Sequence, residues 1–132
     1  MEVQQFLSPK YVYAVVGATD NSAKYGYKVF CDLCSAGWHV IPVNPKRPMV
    51  NGIQAAASLS QVQPKPDVAV FVVPPEIGLK VMSEAAELGI NKLWFQPGAE
   101  SAAIREQAKK LRLQIVADGE CIMVERHRLL DT

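Results

Sequence analysis

The chain has 132 residues, a length that indicates one domain over residues 1–132. Of these residues, 49% are apolar and 20% are charged, a composition that excludes a disordered chain. Fourteen basic residues against thirteen acidic ones leave a net charge of +1, which argues against nucleic-acid binding. The apolar runs are too short to cross a bilayer, no secretory signal opens the chain, and three cysteines are too few for a disulfide framework. We therefore expect a reduced cytoplasmic protein that does not enter a membrane.

The first half of the chain predicts two strands separated by a helix. Tyr11–Val16 is a short apolar run that ends at a glycine. Apolar residues recur every three or four positions over Lys24–Ala36, which predicts a helix. Trp38–Val43 is a second apolar strand and stops at Asn44-Pro45. A short leading helix is also expected over Glu2–Leu7.

The second half repeats the alternation of strands and helices. Asp67–Val73 is a nearly continuous apolar strand, and a helix follows from Pro75 to a capping glycine at position 89. Lys92–Phe95 predicts a fourth strand, Glu100–Arg112 a further helix and Leu113–Ala117 a last strand.

Strands without polar alternation are typical of a parallel sheet that is covered by helices on both faces. The order of elements therefore predicts an α/β fold, namely a Rossmann-like doubly wound sheet of five parallel strands. We expect the strand order 3-2-1-4-5 of mononucleotide-binding folds. Ligands of such sheets bind at the carboxyl ends of the strands, so the residues that follow each strand are the candidate site.

The loop after the first strand has the properties of a phosphate site. Gly17 to Gly26 is small and polar and leads into a helix, where free N–H groups attract an anion and Lys24 adds a positive charge. The spacing matches neither the dinucleotide fingerprint nor a Walker loop. A tight turn without a ligand remains the alternative.

After the second strand, dinucleotide enzymes place a carboxylate that holds the ribose hydroxyls. Here Asn44-Pro45-Lys46-Arg47 stands instead, which weakens an NAD interpretation. Lys46 and Arg47 are either solvated or hold a phosphate on the ribose, which leaves NADP as the less favoured nucleotide.

Two further strands end in proline: Val73-Pro74-Pro75 and Gln96-Pro97-Gly98. Proline stiffens a turn, so both segments are expected to be rigid. They either form walls of the site, with the amide of Gln96 available to a ligand, or only end a strand and begin a helix.

Six segments in this order resemble one known family, the small stand-alone CoA-binding domains, whose fold is similar to the nucleotide-binding domain of the succinyl-CoA synthetase α subunit. The segments are Val15-Val16-Gly17-Ala18-Thr19, Lys24-Tyr25-Gly26-Tyr27-Lys28-Val29, Val43-Asn44-Pro45-Lys46, Val72-Val73-Pro74-Pro75, Gln96-Pro97-Gly98-Ala99-Glu100 and Cys121-Ile122-Met123-Val124-Glu125. Each motif alone is weak, but together they extend from about Val12 to Glu125.

The resemblance implies a site for coenzyme A or a short acyl-CoA. By this resemblance, the Gly17-Ala18-Thr19 loop and Lys24 cradle the pyrophosphate. Asn44 and Pro45 flank the nucleotide together with Val73, Pro74 and Pro75, while Gln96, Pro97 and Gly98 border the pantetheine. Tyr25 and Lys46 are further candidate binding residues of this site. One departure is Asp20, which stands where members of the family often carry a basic residue and which adds a negative charge near the phosphates.

No catalytic or metal-binding constellation is recognisable in the sequence. Cys31 and Cys34 fall in the middle of a helix, where core packing is the favoured interpretation, and nothing close to Cys121 in sequence activates it. Glu125 and His127 are expected in a solvated tail. Three functions stay open: a non-catalytic nucleotide-binding domain, an NAD(P)-dependent oxidoreductase, and a degenerate domain that binds a protein partner. A homodimer is also left open.

Overall fold

A five-stranded parallel sheet forms the centre of the molecule. The computed structural model describes residues 3–129. Its strands are, in chain order, β1 (Val12–Val16), β2 (His39–Val43), β3 (Met49–Val50), β4 (Ile53–Gln54), β5 (Val68–Phe71), β6 (Lys92–Phe95) and β7 (Gln114–Val116). Strands β3 and β4 form a separate antiparallel hairpin, and the other five form the sheet. The predicted Rossmann-like α/β class is confirmed.

The order of strands in the sheet is β2-β1-β5-β6-β7. Counted within the five-stranded sheet, this order is 2-1-3-4-5, because β5 pairs directly with β1. The specific order 3-2-1-4-5 would instead place β5 beside β2. The connection from β2 to β5 contains the β3–β4 hairpin and a 3-10 turn at Leu59–Gln61 but no α-helix that would carry the chain further outward. Both orders occur in doubly wound sheets, and here the order reverses between β1 and β5.

Four helices cover the two faces of the sheet: α1 (Tyr25–Ser35), α2 (Pro75–Glu87), α3 (Ala102–Leu111) and α4 (Ile122–Arg128). Helices α1 and α4 contact each other on one face, and α2 and α3 contact each other on the opposite face. The first three correspond to the predicted helices. Within the described residues, no helix combines the length and apolarity needed to cross a membrane.

Successive side chains of the central strands enter two separate cores. In β1, Tyr13 and Val15 pack on the side of α1 and α4, whereas Ala14 and Val16 pack on the side of α2 and α3. All four are buried. Burial on both faces explains why the strand carries no polar alternation.

Three backbones meet closely at the end of β1. Gly17 has a φ of 98°, and a Cβ placed on it would lie 2.4 Å from the carbonyl oxygen of Val72. A Cβ on Gly26, in the first turn of α1, would lie 2.2 Å from the carbonyl oxygen of Gly17. The nine-residue spacing of the two glycines therefore reflects the packing of a helix start against the end of a strand.

The charged carboxyl-terminal segment, expected to be a solvated tail, is helix α4. Arg126 is only 8% exposed, and its Nε and Nη2 donate to the two carboxylate oxygens of Asp32 in α1, at 3.0 and 3.1 Å. Burial opposes ionisation of Asp32, but hydrogen bonds from Arg126 and His127 outweigh it and lower the pKa of this carboxyl. The expectation of a tail was wrong because the segment is a helix that is stabilised by a partner 94 residues away, although His127 itself is exposed to solvent.

The leading segment forms a 3-10 turn over Val3–Phe6 in place of the expected helix over Glu2–Leu7. Glu2 lies outside the described residues. Phe6 and Leu7 are buried, and the Tyr13 hydroxyl donates to the carbonyl oxygen of Phe6 at 2.8 Å. The turn therefore closes the core on the side of α1.

We expect Gly26→Ala to destabilise the protein, because the new methyl group must displace the backbone of Gly17. Overpacking of this kind costs about 1–3 kcal/mol, which lowers the melting temperature by roughly 4 °C for each kcal/mol. The matched control is Gly78→Ala in α2, where a Cβ would make ordinary contacts at 3.5 Å or more. This variant should melt at or above the wild-type temperature, since alanine favours a helix. Equal melting temperatures of the two variants in a thermal denaturation experiment would contradict the close contact between Gly26 and the backbone of Gly17.

Candidate functional site

The ends of four parallel strands lie in register at one edge of the sheet. Val16 pairs with Val43 on one side and with Phe71 on the other, and Phe71 pairs with Phe95. The residues that follow these four strands therefore meet at the same edge. This arrangement places the predicted loops next to one another around the point where the strand order reverses.

A cleft of about 640 Å³ opens at this edge. Nine of the predicted residues line it: Gly17, Thr19, Lys24, Tyr25, Asn44, Pro45, Lys46, Val73 and Pro74. Lys24 and Lys46 are exposed and contribute positive charge to the mouth of the cleft. The structure therefore brings most of the predicted site into one concave surface.

Part of the cleft lining was not predicted. It consists of Ser58 and Leu59 from the connection between β2 and β5, and of Ile77, Val81 and Glu84 from α2. Ile77 remains 47% exposed although it is a large apolar side chain. The spacing of Ile77 and Val81 by four was visible in the sequence as one helix face, but it gave no indication that this face borders a cleft.

The loop between β1 and α1 is held by its own hydrogen bonds. The hydroxyl of Thr19 accepts from the Asn21 amide at 3.1 Å, and the side-chain oxygen of Asn21 accepts from the Ala23 amide at 3.1 Å. Lys24 is the residue that precedes α1, and its side chain does not cap the helix. The N–H groups at the start of a helix lack partners within the helix, so an anion at the cleft is favoured there.

Asn44 ties the loops after β1 and β2 together. Its side-chain nitrogen donates to the carbonyl oxygen of Ala18 at 2.9 Å, and its side-chain oxygen accepts from the Lys46 amide at 2.8 Å. Because both ends of the amide are occupied, Asn44 forms a rigid wall of the cleft.

An ion pair between Asp20 and Arg47 joins the same two loops. Arg47 lines the cleft, and both side chains remain partly exposed, at 45% for Arg47 and 42% for Asp20. The negative charge that Asp20 adds to the loop is thus paired with a cation.

Five predicted residues do not line the cleft: Ala18, Pro75, Gln96, Pro97 and Gly98. Ala18 is fully buried and Pro75 begins α2. Gln96 is also fully buried, and its side-chain oxygen accepts from the Ile122 amide at 2.7 Å. Pro97 and Gly98 are exposed two strands away from β1. A contact of these residues with a ligand stays a prediction.

Cys121 is in contact with two of the predicted residues. Its sulfur lies 3.2 Å from the Tyr25 hydroxyl and 3.3 Å from the side-chain nitrogen of Gln96. The burial of this thiol opposes ionisation, but hydrogen bonds from Tyr25, Gln96 and the amides of Val124 and Met123 outweigh it and lower its pKa. The groups that activate the thiol come largely from elsewhere in the sequence, which is why local inspection found none.

Tyr25 stabilises the ionised form of the Cys121 thiol. The hydrogen bond to Cys121, together with burial, raises the pKa of Tyr25 to about 12, so the hydroxyl keeps its proton near neutral pH and donates to the sulfur when the thiol is ionised. By contrast, burial and the nearby Cys31 raise the pKa of Cys34 in α1. Tyr25 thus connects the cleft to the thiol at the start of α4.

Comparisons with known proteins agree on one family. A family model described as a CoA binding domain matches residues 11–127. The α subunit of an ADP-forming acetate–CoA ligase II from Pyrococcus furiosus is 34% identical over 87 residues, which are 65% of this chain and 19% of that protein. An ADP-forming acetate–CoA ligase from Methanocaldococcus jannaschii is 33% identical over 90 residues, which are 68% of this chain and 13% of that protein. The chain spans less than a fifth of these curated relatives.

A solved structure of similar size has the same fold. A conserved hypothetical protein from Pyrococcus furiosus superimposes with a TM-score of 0.83 and 47% sequence identity. The alignment covers 87% of this chain and 98% of that one. The likeness therefore extends over nearly the whole fold.

We expect Cys121 to be alkylated faster than Cys34 near neutral pH, because the thiolate is the reacting species and the pKa of Cys121 is lowered whereas that of Cys34 is raised. Tyr25→Phe removes a donor to the thiolate and should slow alkylation of Cys121 by iodoacetamide. Above the usual thiol pKa of about 8.5, this difference should shrink. Peptide mass spectrometry measures both rates.

Tyr11→Phe is the control, since the Tyr11 hydroxyl donates to the carbonyl oxygen of Gln5 and not to a cysteine. Unchanged reactivity of Cys121 in Tyr25→Phe would show that the tyrosine does not stabilise its thiolate.

Proposed function

The chain belongs to the CoA-binding domain family, and we propose that its cleft binds coenzyme A or a short acyl-CoA. The observation that carries the proposal is the position of the cleft. It lies at the carboxyl ends of β1, β2 and β5, where the strand order reverses and where sheets of this kind bind nucleotides.

The pyrophosphate fits the side of the cleft that is formed by the loop after β1. Gly17 and Thr19 line this side of the cleft, and the start of α1 follows at Tyr25. Lys24 supplies a full positive charge at the same place. Small residues, a helix start and a cation together favour a doubly charged phosphate group.

The adenosine and the pantetheine arm of coenzyme A are less polar than the pyrophosphate and fit the rest of the cleft. Asn44 and Pro45 on one side and Val73 and Pro74 on the other flank the space for the nucleotide. The exposed apolar surface of Ile77 gives the ligand an additional hydrophobic contact. We propose that the pantetheine continues along the sheet edge toward Gln96-Pro97-Gly98.

We propose that this domain binds and presents its ligand and that it does not catalyse a reaction by itself. The curated relatives carry the name of ligases but are at least five times longer than the matched region. Within the described residues, no three His, Cys, Asp or Glu side chains are arranged to hold a metal ion. We place the protein in the cytoplasm, with a small-molecule nucleotide as its ligand.

Lys24→Ala should weaken the binding of coenzyme A about 10- to 150-fold, because a charge-assisted hydrogen bond contributes about 1.5–3 kcal/mol. Isothermal titration calorimetry measures the change. The matched control is Lys28→Ala, which changes an exposed lysine within α1 that does not line the cleft. An undiminished affinity in a folded Lys24→Ala protein would exclude this lysine from the phosphate site.

The melting temperature distinguishes coenzyme A from NAD. A ligand at a hundredfold excess over its Kd stabilises the native state by about 2.7 kcal/mol, which corresponds to roughly 10 °C for a domain of this size. We expect this rise with coenzyme A and little change with NAD, because Asn44 stands where a carboxylate would hold the ribose. NADP should fall between the two.

A larger rise with NAD than with coenzyme A would support an oxidoreductase instead. No rise with any nucleotide would leave the degenerate protein-binding domain as the better interpretation.

A further inference from the structure

Two cysteines of α1, Cys31 and Cys34, lie outside the candidate site. They are three residues apart in the helix, so their side chains are neighbours on one face of it. Both are free thiols and only half-buried, which leaves them open to a small reagent from solvent. Neither of them lines the cleft.

The surroundings of Cys31 suit a nucleophile. The side-chain nitrogen of Asn51, in the turn between β3 and β4, donates to the Cys31 sulfur at 2.9 Å. The Tyr27 hydroxyl, one helical turn earlier, is hydrogen-bonded to the same sulfur, and this contact raises the pKa of Tyr27, so the hydroxyl remains a donor near neutral pH. Two neutral donors are therefore in place to hold the charge of a thiolate at Cys31.

The surroundings of Cys34 suit a thiol that reacts second. Burial and the nearby Cys31 raise the pKa of Cys34, which keeps this thiol protonated near neutral pH. Once Cys31 is part of a disulfide it carries no charge, and the second of these causes disappears. Cys34 then lies next to that disulfide on the same helix, so its attack needs no further encounter in solution.

We propose that Cys31 and Cys34 form a redox-active dithiol site, in which Cys31 attacks a low-molecular-weight disulfide, Cys34 closes a disulfide within α1, and this closure weakens the contact between α1 and α4. The inference is independent of the proposed function, because neither thiol contacts the cleft.

Oxidised glutathione serves as the example of such a disulfide. The thiolate of Cys31 forms a bond to one glutathione sulfur, and the bond between the two glutathione sulfurs breaks, which releases one glutathione thiolate. The thiol of Cys34 then gives its proton to water, its sulfur attacks that of Cys31, and the second glutathione leaves as a thiolate. The protein loses two electrons and two protons, and oxidised glutathione is reduced to two glutathione thiols.

Closure of this disulfide must change the last turn of α1. Side chains three residues apart on a helix have Cβ atoms about 5–6 Å from each other, whereas a disulfide needs about 3.5–4.5 Å. Cys34 is the second-last residue of α1, and the chain leaves the helix at Ala36 and Gly37. The adjustment is therefore confined to the end of the helix.

Asp32 lies between the two cysteines and transmits this change to α4. Its carboxylate accepts from Nε and Nη2 of Arg126 at 3.0 and 3.1 Å, and from the same carboxylate His127 lies at 3.1 Å. A change in the turn that carries Asp32 displaces the carboxylate from this paired geometry. Helix α4 is then held less firmly against α1.

The test adds oxidised glutathione to the full chain, blocks the remaining thiols with N-ethylmaleimide and analyses tryptic peptides by mass spectrometry. Val29–Lys46 is a single tryptic peptide that contains both cysteines. In wild type it should lose two hydrogen atoms and carry no label. Cys121→Ser is the control and should give the same peptide, because Cys121 lies in another part of the sequence.

Single variants separate the two roles. Cys34→Ser should stop at the first step and keep glutathione on Cys31, whereas Cys31→Ser should form an adduct on Cys34 more slowly. In the Cys34→Ser background, Asn51→Gly should slow adduct formation on Cys31 about twofold to fivefold, because one donor to the sulfur is lost. Glycine accommodates the positive φ of 50° at this position, so the turn itself is kept.

The melting temperature tests the link to α4. Oxidised wild type should melt about 4 °C or more below the reduced protein. In Asp32→Asn the same oxidation should lower the melting temperature less, since the contact with Arg126 is already weakened.

Label on both cysteines of treated wild type would overturn the dithiol site. Equal rates of adduct formation in Cys31→Ser and Cys34→Ser would overturn the roles assigned to the two thiols. Equal melting temperatures of oxidised and reduced wild type would overturn the link to α4. None of these results bears on the binding of coenzyme A.

Discussion

The close backbone contact around Gly17 is the constraint on which the site depends. Gly17 leaves no room for a side chain because the carbonyl of Val72 lies against it, and Gly26 brings the first turn of α1 onto the Gly17 carbonyl. The start of α1 is thereby held at the junction of β1 and β5. A side chain at either glycine would push the helix start away from the sheet edge, and the wall formed by Lys24 and Tyr25 would move with it.

The parallel register of the strands places this local contact next to the other loops of the candidate site. Because β2, β1 and β5 end at the same level, the loops that follow them surround one space. The crossover from β2 to β5 carries the chain over β1 and leaves the gap between loops that a doubly wound sheet offers to ligands. The same crossover contributes Ser58 and Leu59 to the cleft lining, so the connection that lacks an α-helix also shapes the cleft.

The local patterns were sufficient for the main elements but not for their arrangement. The five strands of the main sheet and helices α1 to α3 were predicted from apolar periodicity and from residues such as Pro75, because these signals are contained in a few neighbouring positions; the short hairpin of β3 and β4 was not predicted. The strand order was not, since no short segment encodes which strand lies beside β1. Helix α4 and the environment of Cys121 were missed for the same reason: Asp32, Tyr25 and Gln96 are distant in sequence.

The residues at the cleft divide into fixed and adjustable groups, and this division has a thermodynamic consequence. Thr19 and Asn44 are already hydrogen-bonded within the protein, so binding does not have to order them. Lys24, Lys46 and Arg47 are exposed long side chains that lose rotamer freedom when they contact a ligand. Shape selection therefore comes from the rigid loops, whereas the charged contacts supply attraction that weakens as salt screens it. A polyanion with an apolar arm uses both groups at once, which a small free phosphate does not.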